Sequence, residues 1–484
     1  MFKKIVLLPS SKFTSLINSP STFGLYSNCK HFFSSSSSDP FFSKQTFSKT
    51  ELIPDLKKSL QTNGFDHLTK IQELSLPSLL DGQNAILQAE TGSGKTLCYI
   101  LPILNHLFPN LASKSQERSV HSPTGALVLA PNKELCTQIY SFFKIFDPQN
   151  QLNILRLGAL NQSTPSATFQ KKAEESANES VTHLVNWGEL DLLISTPVQL
   201  ANLLKIQDKT NPYNINPRTV VIDEYDYIFG DVSLAKATRS LLKRFNDPKW
   251  AKVREAHEKR QFILCGASAP RKIGSISLED EVKFWFQDIK TFRTQAFQKL
   301  SERIKFEYIE IEKDTTEETE LLMLNKLIKI SASKKIIIFC NSAQKTLQVQ
   351  DSLTFHGVKS VVFSAGMSVD ERVEALAQFN NDNENVRVLI STDLGSRGLD
   401  FKDVDHVIQF EFATHATQIL HRAGRTGRAG NKGTFTSFVR PKDELLMSRL
   451  NEMLDDEEKG FEGAYSHKRS LRKKERRRIK EEGF

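Results

Sequence analysis

Long hydrophobic runs are missing from this sequence: in 484 residues no apolar stretch approaches the roughly 20 that a membrane-spanning helix needs. No span and no membrane partner are therefore expected. Cysteine is scarce as well. The five cysteines, Cys29, Cys98, Cys136, Cys265 and Cys340, include no CxxC pair, and the last three lie in or beside apolar strand-like runs. They read as small buried hydrophobes in a reducing compartment, not as a disulfide or zinc framework. Acidic residues are absent from the N-terminus until Asp39, after Lys3, Lys4, Lys12, Lys30 and the run Ser34 to Ser38. Residues 1–45 accordingly read as a disordered mitochondrial targeting peptide, basic and Ser-rich, although the Arg usual in such peptides is also lacking. The apolar run after Lys4 is too short for a secretory signal core.

What the chain does contain is globular: 39% hydrophobic and 25% charged residues. The length calls for more than one core. The formal charge of +8 sits at the ends, because Ser466 to Lys480 carries nine Lys and Arg against Glu475 while the middle is slightly acidic. That tail has the composition of a nucleic-acid tether or a nuclear-localisation segment. It supports the alternative address, nucleus or nucleolus, to the mitochondrial matrix that the leader implies.

Between the ends, short near-continuous apolar runs alternate with helical patterns. The runs NAILQA, ALVLAP, DLLISTP, TVVIDE and QFILCGAS form one group, and KFEYIEIE, KKIIIFCNS, VKSVVFSA, VRVLIST, DHVIQFEF and GTFTSFV a second. This alternation predicts α/β architecture with parallel sheets covered on both faces. The predicted domains are residues 46–290 and 306–445, joined by a polar, mostly helical linker at 291–305 and followed by a basic tail at 446–484. Polar segments at Ser113 to Pro123 and Gln162 to Asn186 read as surface insertions.

The strongest local signal is Ala89-Glu90-Thr91-Gly92-Ser93-Gly94-Lys95-Thr96, between a strand and a helix. Phosphate binding needs a loop that turns tightly, backbone N–H groups, a cation and a hydroxyl at a helix N-terminus, and the segment has all four. The stretch VVIDEYDYIF, read as a buried strand, then delivers Asp223, Glu224 and Asp226. Asp223 suits Mg²⁺, with Thr96 as its other protein ligand, and Glu224 suits the orienting or deprotonation of water. Further on, HRAGRTGR repeats Arg422, Arg425 and Arg428 every third residue. Guanidinium groups suit charge developing on a transferred phosphoryl group, so Lys95, Glu224, Arg425 and Arg428 are the candidate catalytic set.

Together, in this order and spacing from about Phe47 to Arg440, these residues resemble the DEAD-box ATP-dependent RNA helicases of helicase superfamily 2. The resemblance implies two RecA-like doubly wound parallel-sheet domains in tandem, with ATP, Mg²⁺ and RNA as ligands. It implies adenine recognition by Phe47 and Gln72, ribose contact by Asp400, γ-phosphate contact by Arg425 and Arg428, and coupling of the domains by Asp226, Ser268 and His421. RNA contacts would fall to Pro131, Lys133, Gly158, Thr196, Arg372 and Thr392. The chain departs from the family pattern with Tyr225 in the acidic box, Gly266-Ala267-Ser268 for Ser-Ala-Thr, Lys133 and Gln199 in place of Arg, Ala159 in place of Gly, and Val369 in place of Gln. Groups that handle ATP are nearly intact, whereas groups that grip RNA have drifted. Tyr225 is larger and Gly266 smaller than the residues they replace, and a steric compensation between them is expected. The implied activity is ATP-dependent remodelling of RNA, in mitochondrial RNA metabolism or ribosome assembly, with ribosomal or other RNA–protein particles as partners. A nucleotide-gated RNA clamp with little unwinding is the alternative.

Overall fold

The computed structural model describes residues 3–4, 42–111, 125–157, 190–210, 217–246, 260–267, 278–286, 288–294, 297, 303–364, 366–381, 386–393, 401, 403–414, 416–428 and 431–454. These fall into two compact units, with the break in the chain between Phe297 and Gln298. Two short strands, β1 (Lys3–Lys4) and β2 (Phe42–Thr46), come first, and β2 pairs antiparallel with β3 (His67–Thr69). Ordered chain thus begins before residue 46. The remainder of the leader lies outside the described residues.

The first unit holds a seven-stranded parallel sheet made of β4 (Ala85–Gln88), β5 (Ala126–Leu129), β6 (Ile154–Arg156), β7 (Leu192–Ser195), β8 (Thr219–Asp223), β9 (Gln261–Gly266) and β10 (Lys290–Arg293). Across the sheet the order is β10-β4-β9-β8-β5-β7-β6. Alternate side chains of the same strands fill two separate cores. Leu87, Val128, Ile194, Val221 and Ile263 point to one face, and Ile86, Leu127, Leu193, Val220, Ile222 and Leu264 to the other. Burial on both faces explains why these strands read as continuous apolar runs. The predicted linker is not mostly helical: β10 lies in the stretch thought polar, pairs in parallel with β4, and completes the first sheet.

The second unit repeats the plan with β11 (Ile304–Glu310), β12 (Lys335–Cys340), β13 (Ser360–Phe363), β14 (Val388–Thr392), β15 (Val404–Gln409) and β16 (Gly433–Val439), in the order β1-β11-β16-β15-β12-β14-β13. It extends past residue 445, since the helix Glu444–Leu454 packs Leu446, Met447 and Leu450 into its core.

His406 in β15 is buried beneath this sheet, its Nε2 paired with Thr436 Oγ1 at 2.8 Å and its Nδ1 with Ser331 Oγ at 3.4 Å. Burial pushes the imidazole down to about 4, against the opposing charges of Glu307 and Asp405. The folded value lies below the ordinary 6.5. Stability from the neutral ring is therefore complete above that ordinary value and is lost as pH falls from about 6.5 toward about 4. Thermal unfolding followed across this window should show the second unit weakening, and His406→Gln should flatten that part of the profile.

Candidate active site

Parallel strands place all their carboxyl ends on one edge of a sheet, where the following loops gather. In the first unit that edge collects the phosphate loop after β4, Pro131 and Lys133 after β5, Thr196 after β7, the acidic box after β8, and Gly266 at the end of β9. Gly158 and Ser268 lie outside the described residues, as does Asp400 in the second unit.

The loop from Ala89 leads into the helix Lys95–Leu111. Gly92 and Gly94 hold φ of 80° and 86°, a region that a side chain at either position would strain. A Cβ on Gly94 would also stand 2.5 Å from Gln72 Nε2. Gln72 donates to the Gly94 carbonyl at 3.1 Å and accepts from Thr69 N–H at 2.9 Å, bracing the loop against the start of the helix Lys70–Leu80. Its amide still has one N–H and one lone pair for a base edge. Phe47 belongs to the core of the first unit, only 3% exposed. Lys95 Nζ donates to the carbonyls of Ala89 and Glu90, both at 2.8 Å, and Glu90 Oε2 accepts from Thr294 Oγ1 at 2.7 Å.

VVIDEYDYIF does not run on as a strand. β8 stops at Asp223, Glu224 adopts a left-handed conformation (φ 50°, ψ 47°), and Tyr225–Gly230 is helical. Left-handed backbone at a non-glycine residue costs energy and persists where surrounding structure holds it, commonly at active sites. The turn puts Asp223 and Glu224 on the same strand edge as the phosphate loop. Asp223 Oδ2 accepts from Tyr99 O–H and Oδ1 from Glu224 N–H, both at 2.9 Å. Burial raises the Asp223 carboxyl above its usual range, opposed by the Tyr99 hydrogen bond and the Lys95 charge. A buried carboxylate beside the Thr96 hydroxyl position is the hard oxygen chemistry a divalent cation takes. Among the described residues no group of three or more His, Cys, Asp or Glu that could hold a metal ion forms.

Cys98 and Cys265 flank this region, their thiols pushed up by burial, Cys98 to about 12. With Cys136 and Cys340 they are free and buried, as expected from the sequence, while Cys29 lies outside the described residues.

The expected steric exchange is present. A Cβ on Gly266 would meet Tyr225 Cε1 at 2.5 Å and Cδ1 at 2.8 Å. Asn132 caps the helix Lys133–Phe146 by accepting from Leu135 N–H at 2.8 Å. Asn is among the strongest N-cap residues, so the segment keeps a well-defined helix start beside Lys133. Thr196 Oγ1 donates to Gln199 Oε1 at 3.1 Å just ahead of the helix Pro197–Thr210.

In the second unit the helix Ala416–Ala423 carries His421 and Arg422 and ends before Gly424. The arginines, alike in sequence, separate in role. Arg422 is 0% exposed and holds both Asp393 oxygens at 2.7 Å, Gln409 Oε1 at 2.8 Å, and the Glu411 carbonyl and Asn341 Oδ1 at 2.7 Å. It is a structural hub, and it stands outside the candidate catalytic set. Arg425 and Arg428 instead fold back to the carbonyls of His421 at 3.2 Å and Gly424 at 2.6 Å. Arg372 lies on the helix Val369–Asn380, and Thr392 closes β14.

Sequence comparison matches residues 69–276 to the DEAD/DEAH box helicase family and 319–430 to the helicase conserved C-terminal domain. DEAD-box ATP-dependent RNA helicase 39 of Arabidopsis thaliana is 27% identical over 86% of this chain, which spans 62% of that relative's length. Helicase 22 of the same plant is 26% identical over 91% of this chain and 85% of its own. RhlB of Vibrio parahaemolyticus is 28% identical over 85% and 84% of the two chains. Among solved structures, S. cerevisiae Dbp5 bound to RNA and ADP BeF3 superposes with a TM-score of 0.65 at 21% identity, over 86% of this chain and 94% of that one. The helicase Mss116 bound to ssRNA and UDP-BeF gives 0.65 at 18%, over 85% and 77%. These likenesses establish the tandem RecA-like fold. With both characteristic domains matched in order over the sheets that carry the phosphate loop and the acidic box, the chain belongs to the DEAD-box family of ATP-dependent RNA helicases.

Proposed function

We propose that this protein hydrolyses ATP when bound to RNA and uses the cycle to open short duplexes or remodel RNA–protein complexes. The observation that carries the reading is the left-handed turn at Glu224, which ends β8 at the same sheet edge as the phosphate loop. Lys95 and the loop amides hold the β- and γ-phosphates, exchanging the Ala89 and Glu90 carbonyls for phosphate oxygens. Thr96 and Asp223 would hold Mg²⁺, which supplies positive charge to the transferred group. Glu224 orients the attacking water and takes its proton. Arg425 and Arg428 contribute guanidinium charge to the γ-phosphate. Gln72 meets the adenine, with Phe47 packed in the core behind it, and Asp400 meets the ribose.

RNA passes over Pro131, Lys133, Gly158, Thr196, Arg372 and Thr392, largely through backbone contacts. The loss of Arg at Gln199 weakens that grip and supports the clamp as the second reading. Gln199→Arg is therefore expected to tighten RNA binding and to steepen the slope of log affinity against log salt by about one unit. Titrations at several salt concentrations would show it; an unchanged slope would take Gln199 off the RNA path.

The acid-free leader supports a mitochondrial setting and, with it, RNA metabolism or ribosome assembly as the process served. The basic tail would serve as an RNA tether there, or as a nuclear address in the alternative. The deciding assay gives the full chain a short RNA duplex and ATP and follows both phosphate release and strand separation. Turnover with separation supports the helicase, ATP-dependent binding without separation supports the clamp, and no nucleotide effect on RNA binding defeats both.

A further inference from the structure

Tyr225 follows Glu224 directly, begins the helix Tyr225–Gly230, and is 2% exposed. Its hydroxyl accepts a hydrogen bond from Gln88 Nε2 at 2.9 Å. Gln88 is the last residue of β4, the strand that opens into the phosphate loop, and its Oε1 accepts from Arg293 Nε at 2.8 Å. The register sets this row up, because Gly266 of β9 and Arg293 of β10 stand on either side of Gln88. A continuous hydrogen-bonded row therefore runs from an exposed guanidinium, through a buried amide, to a phenol one residue from Glu224.

The opposite side of the ring is closed by Gly266, where a Cβ would also stand 3.2 Å from Asp226 Oδ1. Filling space alone does not account for this arrangement. Phenylalanine would fill it without bringing a hydroxyl and an amide out of water, which is unfavourable unless the two satisfy each other. Here they do, and the bond they form spans the two halves of the site: Gln88 leads to Ala89 and the phosphate loop, Tyr225 to the acidic turn. The left-handed conformation at Glu224 needs surrounding structure to hold it. The row supplies that hold, starting on the last strand before the chain passes to the second unit.

We propose that Tyr225 is a positioning residue for ATP hydrolysis, keeping the Glu224 turn at a set distance from the phosphate loop through the row Arg293–Gln88–Tyr225 and the fit of its ring against Gly266. The inference rests on the reading of Glu224 as the group that handles water.

The test uses the full chain with saturating RNA and compares kcat and KM for ATP alongside thermal unfolding. Tyr225→Phe keeps the ring and removes the hydroxyl; kcat should fall about tenfold, the size of effect one lost hydrogen bond can have on a transition state, with KM unchanged and a lower unfolding midpoint because the buried Gln88 N–H loses its acceptor. Gln88→Leu should give a similar loss, and the double variant no further loss, because both substitutions remove the same bond. Gly266→Ser should lower the unfolding midpoint by collision with the ring, and adding Tyr225→Ala should restore it. Wild-type turnover with an unimpaired Tyr225→Phe, or additive losses from Tyr225→Phe and Gln88→Leu, would overturn this inference alone. Absence of turnover in the wild type would overturn the functional reading and this inference with it.

Discussion

Glu224→Gln is expected to lower RNA-stimulated ATP turnover by a factor of about 10² to 10⁴, the usual contribution of a positioned general base. The two side chains have nearly the same shape, and the backbone of Glu224 itself ties the turn: its N–H donates to Asp223 Oδ1, and its carbonyl accepts from the N–H groups of Tyr227 and Ile228. The left-handed turn should therefore survive, and Lys95 with the phosphate loop should still bind ATP. Single-turnover hydrolysis and equilibrium nucleotide binding, measured on the same preparation, separate the outcomes. Lost hydrolysis with retained binding fits the proposed role. Undiminished hydrolysis removes Glu224 from it, and joint loss of both properties would mean that the carboxylate is needed for the fold of the turn.

Arg422→Ala should destabilise the second unit by about 3–5 kcal/mol, the cost typical of breaking a buried ion pair from one side. The substitution strands the Asp393 carboxylate and leaves Gln409, Asn341 and the Glu411 carbonyl without their donor. It also removes a cation lying 5.3 Å from the centre of the Phe339 ring. Arg422→Lys should recover little, since an ammonium cannot reproduce the planar fork that reaches Asp393 with two bonds. Denaturant unfolding of the full chain would report the change as a transition of the second unit moved to lower denaturant. An Arg422→Ala protein of ordinary stability but without turnover would give this arginine a part in the chemistry instead of in the core.

That arginine shows where sequence reading stops. HRAGRTGR presents Arg422, Arg425 and Arg428 with equal spacing, and nothing local distinguishes them. Only the packing of the helix Ala416–Ala423 against the ends of β12, β14 and β15 buries the first of them. The strand–loop–helix around Lys95 was legible because glycine conformation, a lysine and a helix start are local properties, written within eight consecutive residues. The central strands were legible for a related reason: helices cover both faces of the sheet, so the strands are apolar throughout. β6 and β10 went unread because they are the two edges of the first sheet. There, short strands with partly or mostly exposed side chains carry no hydrophobic pattern.

VVIDEYDYIF marks the same limit from the other direction. Composition made it one strand, since Val, Ile, Tyr and Phe all favour extended backbone. The turn at Glu224 and the helix after it depend on partners far away in the chain, with Gly266 yielding space to the Tyr225 ring and Gln88 meeting its hydroxyl. By itself the sequence determined the family, the two parallel-sheet units and the strand–loop–helix around Lys95. The tertiary structure decided which arginine became core, where the acidic strand ends, and what braces its turn, because burial and cross-strand register are set by neighbours that no short stretch of sequence contains.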